Sequence, residues 1–186
     1  DIGGPDMVDR PMQTIDIQYH FRLPDRATEA VHLRLDPETL RLQTGARQPR
    51  PDWAKLGFHR CPHCPLSADQ TPYCPVALNL ATCVGRLDHL LSYASLAVAV
   101  ITPERQIVVR TTAERALSSL MGLLIATSAC PLTDCFKPMA RFHLPFATEA
   151  ETLCRAASLY LLGQYFAKQA GAEADLELAG LRRSYE

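Results

Sequence analysis

Between Gln13 and Leu23 apolar and polar residues alternate without a break. Ile15, Ile17, Tyr19, Phe21 and Leu23 fall on one side; Thr14, Asp16, Gln18, His20 and Arg22 fall on the other. A period of two predicts a half-buried strand. The turn signal "PDRATE" follows, and Val31, Leu33 and Leu35 alternate again with His32 and Arg34. "DPET" predicts a second tight turn before Leu40 and Leu42, so the first segment reads as a three-strand antiparallel meander. Residues 45–75 then lose all periodicity and carry much of the proline. A loop of that length inside a compact domain needs something to organise it.

The period changes after Pro75, which suits a first helical position. Val76, Leu80, Cys83, Val84, Leu87, Leu90 and Leu91 recur at helical spacing. "SLAVAVITPERQIVVRTT" predicts a hairpin turning at "PERQ". Thr111 with Glu114 has the spacing of a capping box and opens a helix through Leu117, Leu120, Met121, Leu124 and Ile125, which must end before Pro131. Thr148 with Glu151 repeats the box. The long helix it opens carries Leu153, Cys154, Ala157, Tyr160, Leu161 and Tyr165, stops near Gly171, and precedes a short helix over 174–183. Strands in antiparallel runs, followed by helices, define an α+β class: a meander and a later hairpin packed with three to four helices. Residues 12–186 read as one globular domain, and 1–11 as a leader or a remnant of expression.

Composition narrows the functions this fold can serve. Of 186 residues, 47 % are hydrophobic and 21 % charged, with a formal net charge of −1. Such a balance argues against nucleic acid as a partner and leaves open a protein partner or a homo-oligomer. The longest apolar runs, "LAVAVI" and "LMGLLIA", fall far short of the ~20 residues of a spanning helix, so no membrane is expected. An excess of Arg41, Arg47, Arg50, Lys55 and Arg60 reads as a solvated loop. With no apolar secretory core at the start, a cytoplasmic location is expected. An odd number of cysteines, seven, points to metal or thiol chemistry rather than a closed disulfide framework.

Four of those seven stand directly before proline: Cys61, Cys64, Cys74 and Cys130. Proline fixes φ near −65° and stiffens the corner on which a thiolate sits. The two-residue gap between Cys61 and Cys64 lets one tight loop offer two thiolates to one ion. Cys74 at a helix start and Cys130 just past a helix end would complete a four-thiolate shell and pin the proline-rich loop. The C-x2-C-x9-C-x55-C spacing suits Zn2+, which we prefer, or a [4Fe–4S] cluster. Cys83 and Cys154 fall on apolar helix faces, where cysteine is a small core residue. Cys135 belongs clearly to neither group.

The stretch Cys61-Pro62-His63-Cys64 resembles the active-site motif of DsbA-type thiol oxidants. That resemblance implies a thioredoxin fold, with Cys61 as nucleophile, Cys64 as resolving thiol and His63 tuning the pair. Pro65 departs from the motif's continuation, and "RPDWAKLGFHR" is a poor buried strand to precede it. The wider pattern "CPHCP", "YCP", "SACP" and "KPMARFHLPFA" resembles an uncharacterised family of small bacterial proteins. No activity is implied by that likeness.

Two further groups merit weighing. His59 and His63 flank Cys61 and read as solvent-facing or as supports for the ligands. Lys137, Arg141 and His143 stand at near-alternating positions in "KPMARFHLPF", read as a short extended segment with Phe142, Leu144 and Phe146 inward. The three cations could bind an anion, which would make the protein an enzyme with an anion pocket. Phosphate-binding loops, dinucleotide fingerprints, nucleophile elbows and H-E-x-x-H are absent. A shell of four thiolates leaves a metal no open position, which favours a structural or electron-transferring centre supporting a binding or regulatory role.

Overall fold

The computed structural model describes residues 14–23, 27–45, 48–88 and 90–185. The leader reading, the "PDR" of the first turn and Arg47 lie outside them. Four strands form one antiparallel sheet in the order β2-β1-β3-β4: β1 (Ile15–Arg22), β2 (Thr28–Leu35), β3 (Ser95–Ile101) and β4 (Gln106–Thr112). The alternation seen in the sequence becomes the two faces of this sheet. Tyr19 pairs with Val31 on one side and Val100 on the other, and Phe21 with Val98, so the apolar sets share one face. Ile15, Ile17, Tyr19, Phe21, Leu35 and Val98 are essentially removed from water there. At ~25 cal/mol per Å2 of apolar surface, this face is the main favourable term holding the domain together. Asp16, Gln18, His20 and Arg22 hold the opposite face.

Helices α1 (Pro75–Leu87) and α2 (Ala113–Ala126) cover the apolar face, followed by α3 (Lys137–Arg141), α4 (Glu149–Gln169) and α5 (Ala179–Arg183). Pro75 opens α1 with Cys74 as its N-cap. For α2 the cap is Thr112, whose hydroxyl accepts the Arg115 N–H, one residue later than the expected Thr111. Thr148 and Glu151 form the expected box at α4, with the Glu151 carboxylate accepting the Thr148 N–H at 2.7 Å. Among the described residues no single helix is long and apolar enough to cross a membrane.

Three expectations are corrected. The third strand of the meander is only a bridge, Leu35 to Leu42, because Leu40 sits in the left-handed region at φ 56° and turns the chain away. The "KPMAR" segment is helical rather than extended, since Pro138 occupies the first turn, where its missing N–H costs nothing; Phe142 ends up exposed rather than inward. Finally, α4 turns a different face inward. Ala156 is its one buried residue, whereas Leu153, Tyr165 and Cys154 are exposed. Cys154 lies two residues from Ala156, about 200° round the helix, and so cannot be a core residue.

Candidate metal centre

The proline-rich loop is organised from both its ends. A 3-10 turn over Asp52–Ala54 places Ala54 in the core, and its carbonyl accepts the Cys74 N–H at 2.8 Å. Leu56 is buried beside it and donates its N–H to the Pro72 carbonyl. Lys55 and Tyr73 form a bridge between the two limbs. Between these anchors, Cys64 donates its N–H to the Cys61 carbonyl, which closes the Cys-Pro-His-Cys stretch into a tight turn. The Arg60 guanidinium braces that turn by donating to the carbonyls of Cys64 (3.1 Å) and Leu66 (2.7 Å).

Cys74 and Cys130 occupy equivalent local positions. Each has extended backbone, each precedes a proline at the first helical residue, and each starts a helical turn, α1 for Cys74 and the 3-10 segment Pro131–Phe136 for Cys130. Cys130 is buried, and its N–H donates to Ser128 Oγ, which in turn contacts Thr133 Oγ1 at 3.2 Å. Burial pushes the Cys130 thiol up, while the backbone amides of Leu132 and Thr133 facing the sulfur oppose that rise. The negative charges of Cys74 and Cys64 add to it. Three of the four cysteines singled out by their prolines are therefore electrostatic neighbours, drawn from two regions far apart in the chain. Cys61 stands at the exposed outer end of its turn, and all four thiols are free. Among the described residues no group of three or more His, Cys, Asp and Glu side chains is disposed to hold a metal ion as it stands. The donor set suits zinc or an iron–sulfur cluster in kind, and ligation requires the Cys61–Cys64 turn to close on Cys74 and Cys130.

The other cysteines separate from this group. Cys83 is buried in α1 beside the Thr82 hydroxyl, as expected of a core residue, and burial raises its thiol. Cys135 faces Ser184 near the C-terminus at 3.5 Å. His59 and His63 are both exposed.

Lys137, Arg141 and His143 do not converge. Lys137 pairs with Asp134 at 2.6 Å, and Arg141 pairs with Glu104 at 3.1 Å while stacking on Phe142. His143 turns inward, with Nε2 2.6 Å from the Tyr19 hydroxyl, which also meets Ser119 Oγ at 3.0 Å. Burial, helped by the Arg155 charge, lowers His143 to about 4, and burial raises Tyr19 far above its ordinary value. Tyr19 and Ser119 escaped the sequence reading. A tyrosine in the middle of an otherwise aliphatic strand face was the available signal, because a buried hydroxyl needs a partner.

The model of a domain of unknown function, DUF6901, matches residues 17–186. The chain belongs to that family. No curated protein and no solved structure matches the chain. The matched span takes in β1 from Ile17 onward, the cysteine loop and the five helices described. The thioredoxin fold implied by Cys-Pro-His-Cys would need a parallel strand pair, whereas every strand pair described is antiparallel.

Proposed function

We propose that the protein binds one metal centre through Cys61, Cys64, Cys74 and Cys130, with zinc preferred to a [4Fe–4S] cluster. The centre staples the proline-rich loop to the helical half of the domain and supports a binding or regulatory role. The observation carrying this reading is that Cys74 and Cys64 both act electrostatically on the buried Cys130, from a region far from it in the chain. Thiolates held together repel one another, and a cation turns that repulsion into ligation. The Leu132 and Thr133 amides near Cys130 lower its thiol against the effect of burial, which favours the thiolate a metal needs. Proline after each cysteine keeps the corners rigid, so little backbone freedom is lost on binding. Four thiolates fill a tetrahedral zinc shell and leave no site for substrate, which makes the centre structural.

Elemental analysis and absorption of an anaerobically purified sample test this. A colourless protein with one zinc per chain is expected, and loss of that zinc in Cys130→Ser but not in Cys154→Ser. A brown sample carrying iron and sulfide would move the same four ligands to a cluster. Metal-free protein that stays folded and takes up neither zinc nor iron would sink the proposal.

A further inference from the structure

Away from the thiols lies an open-sided cavity of about 380 Å3, bounded by α2, α3, the loop after α3 and the first turns of α4. Leu123, Ile125, Met139, Leu144 and Phe146 give it mainly apolar walls, the composition of a small-molecule site. Its charged groups are all of one sign. Arg115 and Arg155 line it, and among the described residues neither has a carboxylate at ion-pair distance. Glu151, on the same helix as Arg155, is turned to the N-cap, where it accepts from the backbone and hydroxyl of Thr148. Arg115 donates to the Phe146 carbonyl, and Arg155 to the carbonyls of Met139 and Phe142. Each guanidinium thus keeps donors to spare out of its five N–H groups.

The proton positions around His143 add a further donor. Ser119 Oγ accepts the Phe146 N–H at 3.2 Å, and its other partner is the Tyr19 hydroxyl. In the tautomer where the Tyr19 hydroxyl donates to His143 Nε2, that nitrogen carries no proton of its own. A neutral imidazole so engaged carries its single proton on Nδ1. Nδ1 has no protein partner, yet no buried side-chain nitrogen or oxygen among the described residues is unsatisfied. It is therefore reached from the cavity that His143 lines.

Gly122 supplies the last observation. It lies inside α2 and lines the cavity, and a Cβ built on it meets nothing within 4 Å. Glycine inside a helix costs about 1 kcal/mol relative to alanine, and no close approach or positive φ accounts for it here. A side chain at this position would stand at the cavity wall.

We propose that this cavity binds a small apolar carboxylic acid as its carboxylate, with the chain against α2 and α3 and the carboxylate on Arg115, Arg155 and His143 Nδ1–H. An apolar chamber with spare cationic donors on its wall suits a monoanion attached to hydrocarbon. A bare inorganic anion would leave the chamber unfilled. The assignment is independent of the thiol centre.

Calorimetric titration of the full chain with decanoate, decanol, acetate and inorganic phosphate tests it. Decanoate is expected to bind with one site per chain, decanol at least about tenfold more weakly for want of the charged hydrogen bonds, and acetate and phosphate not measurably. Arg155→Gln should weaken decanoate binding by about tenfold or more. Gly122→Leu adds a side chain at the cavity wall, from a helix position whose Cβ meets nothing within 4 Å, so it should keep the unfolding midpoint and abolish binding. Equal affinity for decanoate and decanol, phosphate competing with decanoate, no binding of decanoate to the folded protein, or undiminished binding by folded Gly122→Leu would each overturn the proposal.

Discussion

Acid should destabilise this protein through one identifiable side chain. His143 is held neutral by burial and by the neighbouring Arg155 charge, which lower it from 6.5 to about 4. Unfolded, the same imidazole titrates near its ordinary value. Between those two values the unfolded chain binds the extra proton and the folded one does not, so stability falls as pH falls through that window. At about pH 4.5 the unfolded form is almost fully protonated and the folded form mostly neutral, which costs on the order of 2.5 kcal/mol relative to pH 7. That is a large share of the ~5–15 kcal/mol a domain has. Carboxylates titrate over the same range, among them Asp175 and Glu151, which hydrogen bonds hold below their ordinary values. The informative quantity is therefore a difference between proteins. Urea unfolding of wild type and His143→Gln at both pH values supplies it. Gln keeps a polar end near Tyr19 without titrating, so the variant should lose about 2 kcal/mol less than wild type between pH 7 and pH 4.5. Parallel losses in the two proteins would show that His143 is not held neutral in the fold.

Tyr19→Phe leaves His143 Nε2 and Ser119 without their shared partner and should cost about 1–3 kcal/mol in urea unfolding. Thr148→Ala removes the hydroxyl that accepts the Glu151 N–H in the α4 cap, leaving the backbone half in place, and should cost about 1 kcal/mol, with thermal unfolding followed by circular dichroism as the check. Gly180→Ala should loosen α5 from α4, because its Cβ would meet the Tyr160 hydroxyl that donates to Asp175; faster amide exchange across Ala179–Arg183 is the expected sign. Cys130→Ser should destabilise the zinc-loaded protein as much as Cys61→Ser, and Cys154→Ser hardly at all, read as shifts in melting temperature with and without a chelator.

The parts of the fold legible in the sequence are those whose partners are local. Each strand shows its buried face by itself, because a sheet with one face in water imposes its period on every strand that joins it. Helix α4 hides its face because so little covers it. With Leu153, Leu162, Tyr165 and Phe166 exposed alongside a buried Ala156, its apolar residues no longer report which side is inward. Proline misled at Lys137–Arg141, where it begins a helical turn instead of keeping the chain extended. At the cysteines it pointed the other way. Proline as the first residue of α1 and of Pro131–Phe136 marked two similar corners, each with a cysteine as its N-cap. The Tyr19–His143 pair was illegible because it joins residues at opposite ends of the chain, and neither carries a sequence neighbour that signals the other.

The stability of the cysteine loop bears on the proposed centre independently of electrostatics. From Gly57 to Tyr73 no side chain among the described residues is fully buried, so the segment adds almost nothing to the hydrophobic core. Ordering its backbone nonetheless costs about 1 kcal/mol or more per residue. Against that stand the anchors at Leu56 and Cys74, the Lys55 to Tyr73 bridge, and the Arg60 brace on the cysteine turn. Those contacts fix the two limbs and the turn separately, and no hydrogen bond or ion pair among the described residues joins the turn to the helical half. A metal held by four thiolates would add on the order of 10 kcal/mol of binding free energy to the folded state, which offsets a large part of that cost. Metal removal should therefore act locally first. Amide exchange after chelation should accelerate across 57–73 while the β1–β3 core stays protected, and uniform acceleration or none would contradict a staple at this position.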